Sequence, residues 1–170
     1  PRVTELFEAR TPKGEAPIAE YPGTVKVEDS ENGRTVPLMP DDPNVEPITY
    51  PVTRRAPLVV RDGEHIEAGT QLVEGSVDPK KVLRILGPRA AELNIIDGVH
   101  DVYRSQGVGI HDKHIEVIVH QMIRRVTVID SGDTSLLPGE LVDRNEFARI
   151  NKEAVKKGLK PAAGRPELLG

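Results

Sequence analysis

Three histidines are the first residues whose types and spacing could bind a metal ion. His111, His114 and His120 fall within ten residues of one another. On a helix of 3.6 residues per turn, His114 and His120 point about 120° apart, so they cannot bind one ion from a single face. The chain also lacks the His-Glu-x-x-His spacing of zinc hydrolases. We therefore assign these histidines to helix capping and to the surface, and we predict no metal site.

Two pairs of aspartates have the oxygen ligands that Mg²⁺ prefers. Asp41 and Asp42 lie in a proline-rich loop, and Asp130 and Asp133 flank a Ser-Gly dipeptide. Aspartate is common in turns because its carboxylate bonds nearby backbone groups, and this interpretation suffices for both pairs. The chain also contains no Gly-x-Ser-x-Gly nucleophile motif and no complete glycine-rich phosphate loop. The sequence thus predicts no catalytic residue and no cofactor in these residues.

Composition limits the class of protein further. Hydrophobic residues make up 37% and charged residues 29% of the 170 residues, which is typical of a globular protein with a largely aliphatic core. The absence of cysteine excludes disulfides, thiolate metal sites and a cysteine nucleophile. No run of 18 apolar residues and no signal sequence occurs, so we expect an intracellular chain. Because it begins with proline, we also expect it to be part of a longer polypeptide.

Basic clusters are the remaining candidates, and they would suit phosphate groups. The formal net charge is −4, whereas a domain that binds nucleic acid alone is usually basic. Contacts to DNA would therefore have to come from local clusters inside a larger assembly. The first cluster consists of Arg2, Arg10 and Lys13, and two weaker ones are the pairs at 54–55 and 124–125.

The first half of the chain is predicted to be β-rich. Residues 1–10 have the spacing of a short helix, and eight prolines between residues 17 and 57 exclude helices and confine strands to edges and short ladders. Asn32-Gly33 predicts a hairpin turn. Turns at Asp62-Gly63 and Ala68-Gly69 surround a short strand at 65–67. This turn pattern resembles barrel-sandwich hybrid domains, the fold of biotinyl and lipoyl carriers.

The second half is predicted to be mainly helical. The predicted starts are an N-cap at Asp78, Gly87-Pro88, an N-cap at Asp112 and a capping box at Asp143. The third helix, which organises the chain, has an apolar face of Ile115, Ile118, Val119, Met122 and Ile123, with Arg124 and Arg125 in its last turn. A strand follows at 126–129, and the tail from Leu159 is expected to be extended.

These elements predict an α+β fold, a small β-rich barrel-sandwich-hybrid-like module followed by an α-helical part. We divide the chain into a helix at 1–15, a β-rich module at 16–77 and a helical part with a short strand at 78–170.

Residues 107–125 (GVGIHDKHIEVIVHQMIRR) carry a resemblance to a known family. They resemble the stretch downstream of the trigger loop in the largest catalytic subunit (beta-prime) of bacterial multisubunit DNA-directed RNA polymerases. Residues 1–10 are similar to the segment directly after that loop, and residues 164–170 resemble the run into the subunit's next conserved block. The resemblance is ordered along nearly the whole chain and is weakest at 28–56. At His120 the family more often has arginine.

The resemblance implies a non-catalytic part of a nucleotidyltransferase. It implies the jaw and adjoining cleft, which hold downstream duplex DNA and support the trigger loop. The basic residues Arg2, Arg10 and Lys13 would contact this DNA. The catalytic Mg²⁺ of the parent enzyme would lie elsewhere. The implied partners are the beta, alpha and omega subunits, sigma factor, and regulatory proteins or phage inhibitors, with no membrane, and the implied location is the cytoplasm, at the nucleoid.

Two alternatives remain open. A stand-alone carrier module would be modified at Lys80 or Lys81, although these follow Asp78-Pro79 in a predicted helix and not a hairpin tip. A protein-interaction module is the other alternative.

Overall fold

The computed structural model describes all residues, Pro1–Gly170. In chain order its elements are α1 (Arg2–Phe7), β1 (Gly23–Val25), β2 (Glu28–Ser30), β3 (Gly33–Pro40), β4 (Ile48–Val52), β5 (His65–Ile66), α2 (Pro79–Leu86), α3 (Pro88–Ser105), α4 (Asp112–Met122), β6 (Arg125–Asp130), β7 (Leu141–Asp143), α5 (Arg144–Lys156) and β8 (Ala163–Glu167). Antiparallel sheets and separate helices confirm the predicted α+β class. No helix is both long and apolar enough to span a membrane.

The chain forms two compact units. One is Thr11–Leu86, and the other combines Pro1–Arg10 with Gly87–Gly170. We call the first the β unit and the second the helical unit.

The β unit is built on a five-stranded antiparallel sheet with β3 at its centre. Strand β4 pairs with one edge of β3, β1 and β2 share the other edge, and β5 extends the sheet beyond β1. The sheet stays open and does not close into a barrel. Its core consists of aliphatic side chains, as the low aromatic content predicts: Ala19, Val25, Val36, Leu38, Val60, Ile66 and Leu72.

The turns of the β unit follow the sequence closely. Ser30 pairs with Gly33 across the β2–β3 hairpin, which confirms the hairpin and places its turn one residue before the predicted dipeptide. Gly63 and Gly69 adopt φ of 78° and 83°, and β5 lies between them. Helix α2 begins where predicted, because the Lys80 N–H donates to Asp78 Oδ1 at 2.9 Å.

Proline is predicted to confine strands to edges and short ladders; the ladders of β3 are short, but this strand lies at the centre of its sheet and not at an edge. Pro37 lies in this central strand and is paired with Thr49 of β4. On the opposite edge it faces the interruption between β1 and β2, where its carbonyl accepts the Lys26 N–H at 2.9 Å. The missing N–H of proline is tolerated because the ladder is already broken at this point.

The helical unit contains a helical layer formed by α1, α3 and α4, and a three-stranded sheet in the order β7-β6-β8. Ile95 and Val99 of α3 and Ile115 and Val119 of α4 are buried, as their spacing predicts. Ile118 is 47% exposed, so its assignment to the apolar face is wrong.

The N-cap of α4 differs from the prediction by one residue. His111 caps the helix, since its Nδ1 accepts the Lys113 N–H at 3.2 Å. Asp112 is the first helical residue, and its carboxylate contacts His100 of α3 instead. At the other end the helix stops at Met122, so Arg124 and Arg125 lie beyond its last turn and not within it.

The sheet of the helical unit is larger than the sequence predicts. Strand β6 confirms the predicted strand, and β7 and β8 pair with it on either side. The tail is indeed extended, but as a sheet strand that contains Gly164 and Pro166. Helix α5 confirms Asp143 as the N-cap, because Asp143 Oδ1 accepts the N–H groups of Asn145 and Glu146 at 2.9 and 3.4 Å. The reciprocal half of the predicted capping box is absent, since the Glu146 carboxylate accepts from Arg149 instead.

Candidate nucleic-acid interface

The three basic residues that the sequence proposes for DNA lie at and after α1. Arg2 and Arg10 belong to the helical unit and Lys13 to the β unit. Arg2 forms an ion pair with Glu5 one turn along α1, and its side chain is 27% exposed. A phosphate would have to replace this carboxylate in order to bind Arg2.

Arg10 is presented by an unusual backbone turn. The chain leaves α1 through Ala9, which has a φ of 51° and is buried, and the Arg10 N–H donates to the Glu5 carbonyl at 3.1 Å. The Arg10 guanidinium lies 2.5 Å from the Glu8 carboxylate and is 69% exposed. An exposed pair of this kind contributes little to stability, so the guanidinium can exchange its partner easily.

Lys13 is the most available of the three cations. It lies in an exposed turn and makes neither an ion pair nor a side-chain hydrogen bond. The adjacent Gly14 has a φ of 69° and open space around it. The proposed contact of Arg2, Arg10 and Lys13 with DNA stays a prediction.

One arginine of each weaker basic pair has a structural partner. Arg54 donates to the Ser30 carbonyl at the end of β2. Arg124 lies 3.6 Å from the Asp143 carboxylate, which caps α5, and so links the end of α4 to the start of α5. Arg124 therefore bridges two helices, and the prediction that the pair at 124–125 lies in the last turn of α4 is wrong.

Asp130 and Asp133 form hydrogen bonds and an ion pair within the protein. Asp130 accepts the Gly132 N–H at 2.9 Å and the Lys160 ammonium at 3.0 Å, and these contacts hold its pKa below the ordinary value. Asp133 accepts the Lys160 N–H at 2.8 Å. These two carboxylates fasten the turn after β6 to the segment that leads into β8.

Asp41 and Asp42, in the proline-rich loop, also form hydrogen bonds within the protein. Asp42 Oδ1 accepts hydrogen bonds from the backbone N–H and the side-chain amide of Asn44, each at 2.9 Å. Asp41 bonds His65 Nε2 at 2.8 Å, and this bond raises the pKa of His65. No group of three histidine, aspartate or glutamate side chains is arranged to bind a metal ion.

The lysines considered for covalent modification lie in the first turn of α2. Lys81 forms an ion pair with Glu15 at 2.5 Å, and the Lys80 N–H is bonded to Asp78. A carrier module needs its lysine at the tip of a hairpin, and neither lysine has that position.

Two of the hollows on the helical unit, neither predicted from the sequence, are lined by His120. A groove of 510 Å³ runs between α3 and α4 and is lined by both apolar and charged side chains, including Ile96, Val117 and His120. A smaller hollow of 180 Å³ lies between the end of α4 and the start of α5, and His120 also lines it. His120 thus lines both hollows.

Comparison with known proteins decides the family. The sequence profile described as RNA polymerase Rpb1, domain 5, matches residues 24–159, which is well over half of the chain. The chain belongs to the RNA polymerase Rpb1 domain 5 family. The match includes the β3 sheet, α2 to α4, and most of the β6 sheet.

Individual relatives extend this match to the whole chain. The chain is 78% identical over 170 residues to the DNA-directed RNA polymerase subunit beta' of Bifidobacterium adolescentis and 75% identical to that of Bifidobacterium animalis. It is 62% identical to the corresponding subunit of Micrococcus luteus. The alignments cover the whole of this chain. They cover only 13% of the length of each relative. The resemblance first seen in residues 107–125 is therefore confirmed.

Proposed function

We propose that this chain is a non-catalytic structural part of the beta-prime subunit of a bacterial DNA-directed RNA polymerase, and that it acts in transcription. The observation that carries the proposal is the 78% identity with such a subunit over all 170 residues. The parent would be a nucleotidyltransferase, with its catalytic Mg²⁺ bound outside these residues. Within the chain, the aspartates that could have bound this ion are engaged with Lys160, His65 and Asn44.

The finer role that we propose is to hold downstream duplex DNA and to support the trigger loop. Residues 1–15 would lead out of the trigger loop, residues 16–77 would form a β-rich jaw module, and residues 78–170 would line the cleft. Support comes from the resemblance of residues 1–10 to the segment after that loop. It also comes from the short, rigidly packed α1, whose Leu6 is fully buried.

DNA contact would come from exposed cations and not from overall charge. Phosphate contacts need arginine or lysine at the surface, with little further geometry. Lys13 and Arg10 meet this requirement better than Arg2, whose side chain is less exposed and is paired within α1. The remaining acidic surface would face other parts of the assembly: the beta, alpha and omega subunits, sigma factor, and regulatory proteins or phage inhibitors. The assembly would work in the cytoplasm, at the nucleoid.

The test is charge reversal at Arg10 and Lys13 in the whole polymerase. We expect the R10E/K13E enzyme to form shorter-lived complexes with promoter DNA. The dependence of log lifetime on log salt concentration should weaken by about one unit for each phosphate that the altered enzyme no longer binds. Charge reversal at Lys156 and Lys157, which are exposed at the end of α5, is the matched control. Equal salt dependence in the two variants would remove Arg10 and Lys13 from the DNA interface.

A further inference from the structure

Helix α1 depends on its surroundings for its position. It has six residues, and an isolated helix of that length is not stable in water. Its one fully buried side chain is Leu6, and α1 packs against α3 within the helical unit. The residues that contact Leu6 therefore help to set the position of α1.

The contact between α1 and α3 is made at a glycine. A Cβ atom added to Gly98 would lie 3.0 Å from Leu6 Cδ1 and 3.4 Å from Leu6 Cδ2. Glycine disfavours a helix interior, and Gly98 lies in the middle of the 18-residue α3. The close approach of Leu6 supplies the physical reason for glycine at this position.

The last residues of the chain also lie against the C-terminal end of α1, where Glu8 is the C-cap. A Cβ atom at Gly170 would lie 2.6 Å from the Glu8 carbonyl oxygen, directly after α1. The Leu169 N–H donates to the Met122 carbonyl at 2.9 Å, which fixes this segment to the end of α4. Leu168 is buried beside it. The C-terminal end of α1 thus packs against α3 through Leu6 and lies against a segment anchored on α4.

From this packing we infer that Leu6, through its contact with Gly98, is a positioning residue for nucleotide addition by the parent polymerase. It fixes α1 as the base from which the trigger loop would move. The inference rests on the proposed function, which joins α1 to that loop. Leu6 itself touches neither substrate nor DNA under this proposal. Its effect is exerted through the placement of α1.

The experiment compares two glycine substitutions in the whole polymerase. Gly98→Ala requires the Leu6 side chain to give by a few tenths of an ångström, whereas Gly109→Ala adds a methyl group in open space. We expect Gly98→Ala to lower the maximal rate of nucleotide addition by roughly threefold to tenfold, because a misplacement of 1 Å can cost about 100-fold. Gly109→Ala should match the unaltered enzyme. The salt dependence of promoter-complex lifetime should be the same in both variants.

A second substitution separates positioning from loss of folding. Leu6→Val removes one methylene group, so in the Gly98→Ala background it should restore most of the rate if the contact is what matters. The inference is overturned if the rate of Gly98→Ala equals that of Gly109→Ala, or if Leu6→Val gives no recovery. A change in promoter-complex lifetime without a change in rate would also overturn it. That result would leave the proposed DNA contact of Arg10 and Lys13 standing.

Discussion

Gly132, in the turn after β6, lies directly against the backbone of Pro161, which precedes β8. A Cβ atom at position 132 would lie 2.5 Å from the Pro161 carbonyl oxygen and 2.7 Å from that of Lys160. The Asp133 N–H donates to the Lys160 carbonyl at 3.0 Å, and Asp133 Oδ2 accepts the Lys160 N–H. This close approach fixes the point at which the tail returns to pair with β6.

The approach predicts that Gly132→Ala destabilises the chain. Gly132 has a φ of 53°, and a side chain in the left-handed region costs about 1–2 kcal/mol. Overlap with two carbonyl oxygens adds about 1–3 kcal/mol. We therefore expect the free energy of unfolding, measured by chemical denaturation, to fall by more than about 2 kcal/mol.

Gly139 offers a matched control for this substitution. It also has a positive φ, of 84°, but no atom lies within 4 Å of the Cβ position. Gly139→Ala should therefore show the conformational cost alone. If Gly132→Ala and Gly139→Ala reduce the free energy of unfolding equally, the packing of the turn against Pro161 contributes nothing.

Tyr50 carries a second testable contact, in the β unit. Its hydroxyl accepts the Glu20 backbone N–H at 3.0 Å, and partial burial raises the pKa of Tyr50. Tyr50→Phe removes the acceptor and should lower the free energy of unfolding by about 1 kcal/mol. Tyr21→Phe is the control, because Tyr21 is 39% exposed and its hydroxyl makes no hydrogen bond within the chain. Equal stabilities of the two variants in denaturant titrations would contradict this assignment.

Elements with a local signal were predictable from the sequence. Helix α5 follows from the cap at Asp143 and from the spacing of Phe147, Ile150 and Ala154, all within twelve residues. Strand β8 was not predicted, because its pairing partner β6 lies far away in the chain. Its Gly164 and Pro166 also have low strand propensity.

The candidate site shows the same division. The basic residues, and the resemblance of the chain to a family, could be recognised in the sequence. Most of the side chains that pair with these basic residues could not. The Arg124–Asp143 ion pair joins residues 19 positions apart, across the end of α4 and the start of α5. The contact of His100 with Asp112 likewise depends on how α3 and α4 pack. Such pairs follow from tertiary structure, and the sequence holds no periodic signal for them.

Asp143 gives the last prediction, a dependence of stability on pH. The Asn145 N–H donates to its carboxylate, and this bond, with weaker help from the Glu146 N–H and the charges of Arg124 and Arg125, lowers the pKa of Asp143 in the folded state. The stabilising effect of the charged cap is complete above the ordinary pKa of 3.8. It is lost as the pH falls through the lower folded-state value, since the protonated cap no longer gains from these contacts.

Two substitutions separate the charge from the cap. Asparagine is as good an N-cap as aspartate, so Asp143→Asn should keep the helix but lose this part of the acid sensitivity. Asp143→Ala should lower the melting temperature by a few degrees at neutral pH, because the cap itself is removed. Thermal unfolding followed by circular dichroism from neutral pH to below the ordinary pKa measures both effects. If Asp143→Asn loses stability in acid as steeply as the unaltered chain, the charge of Asp143 does not stabilise α5.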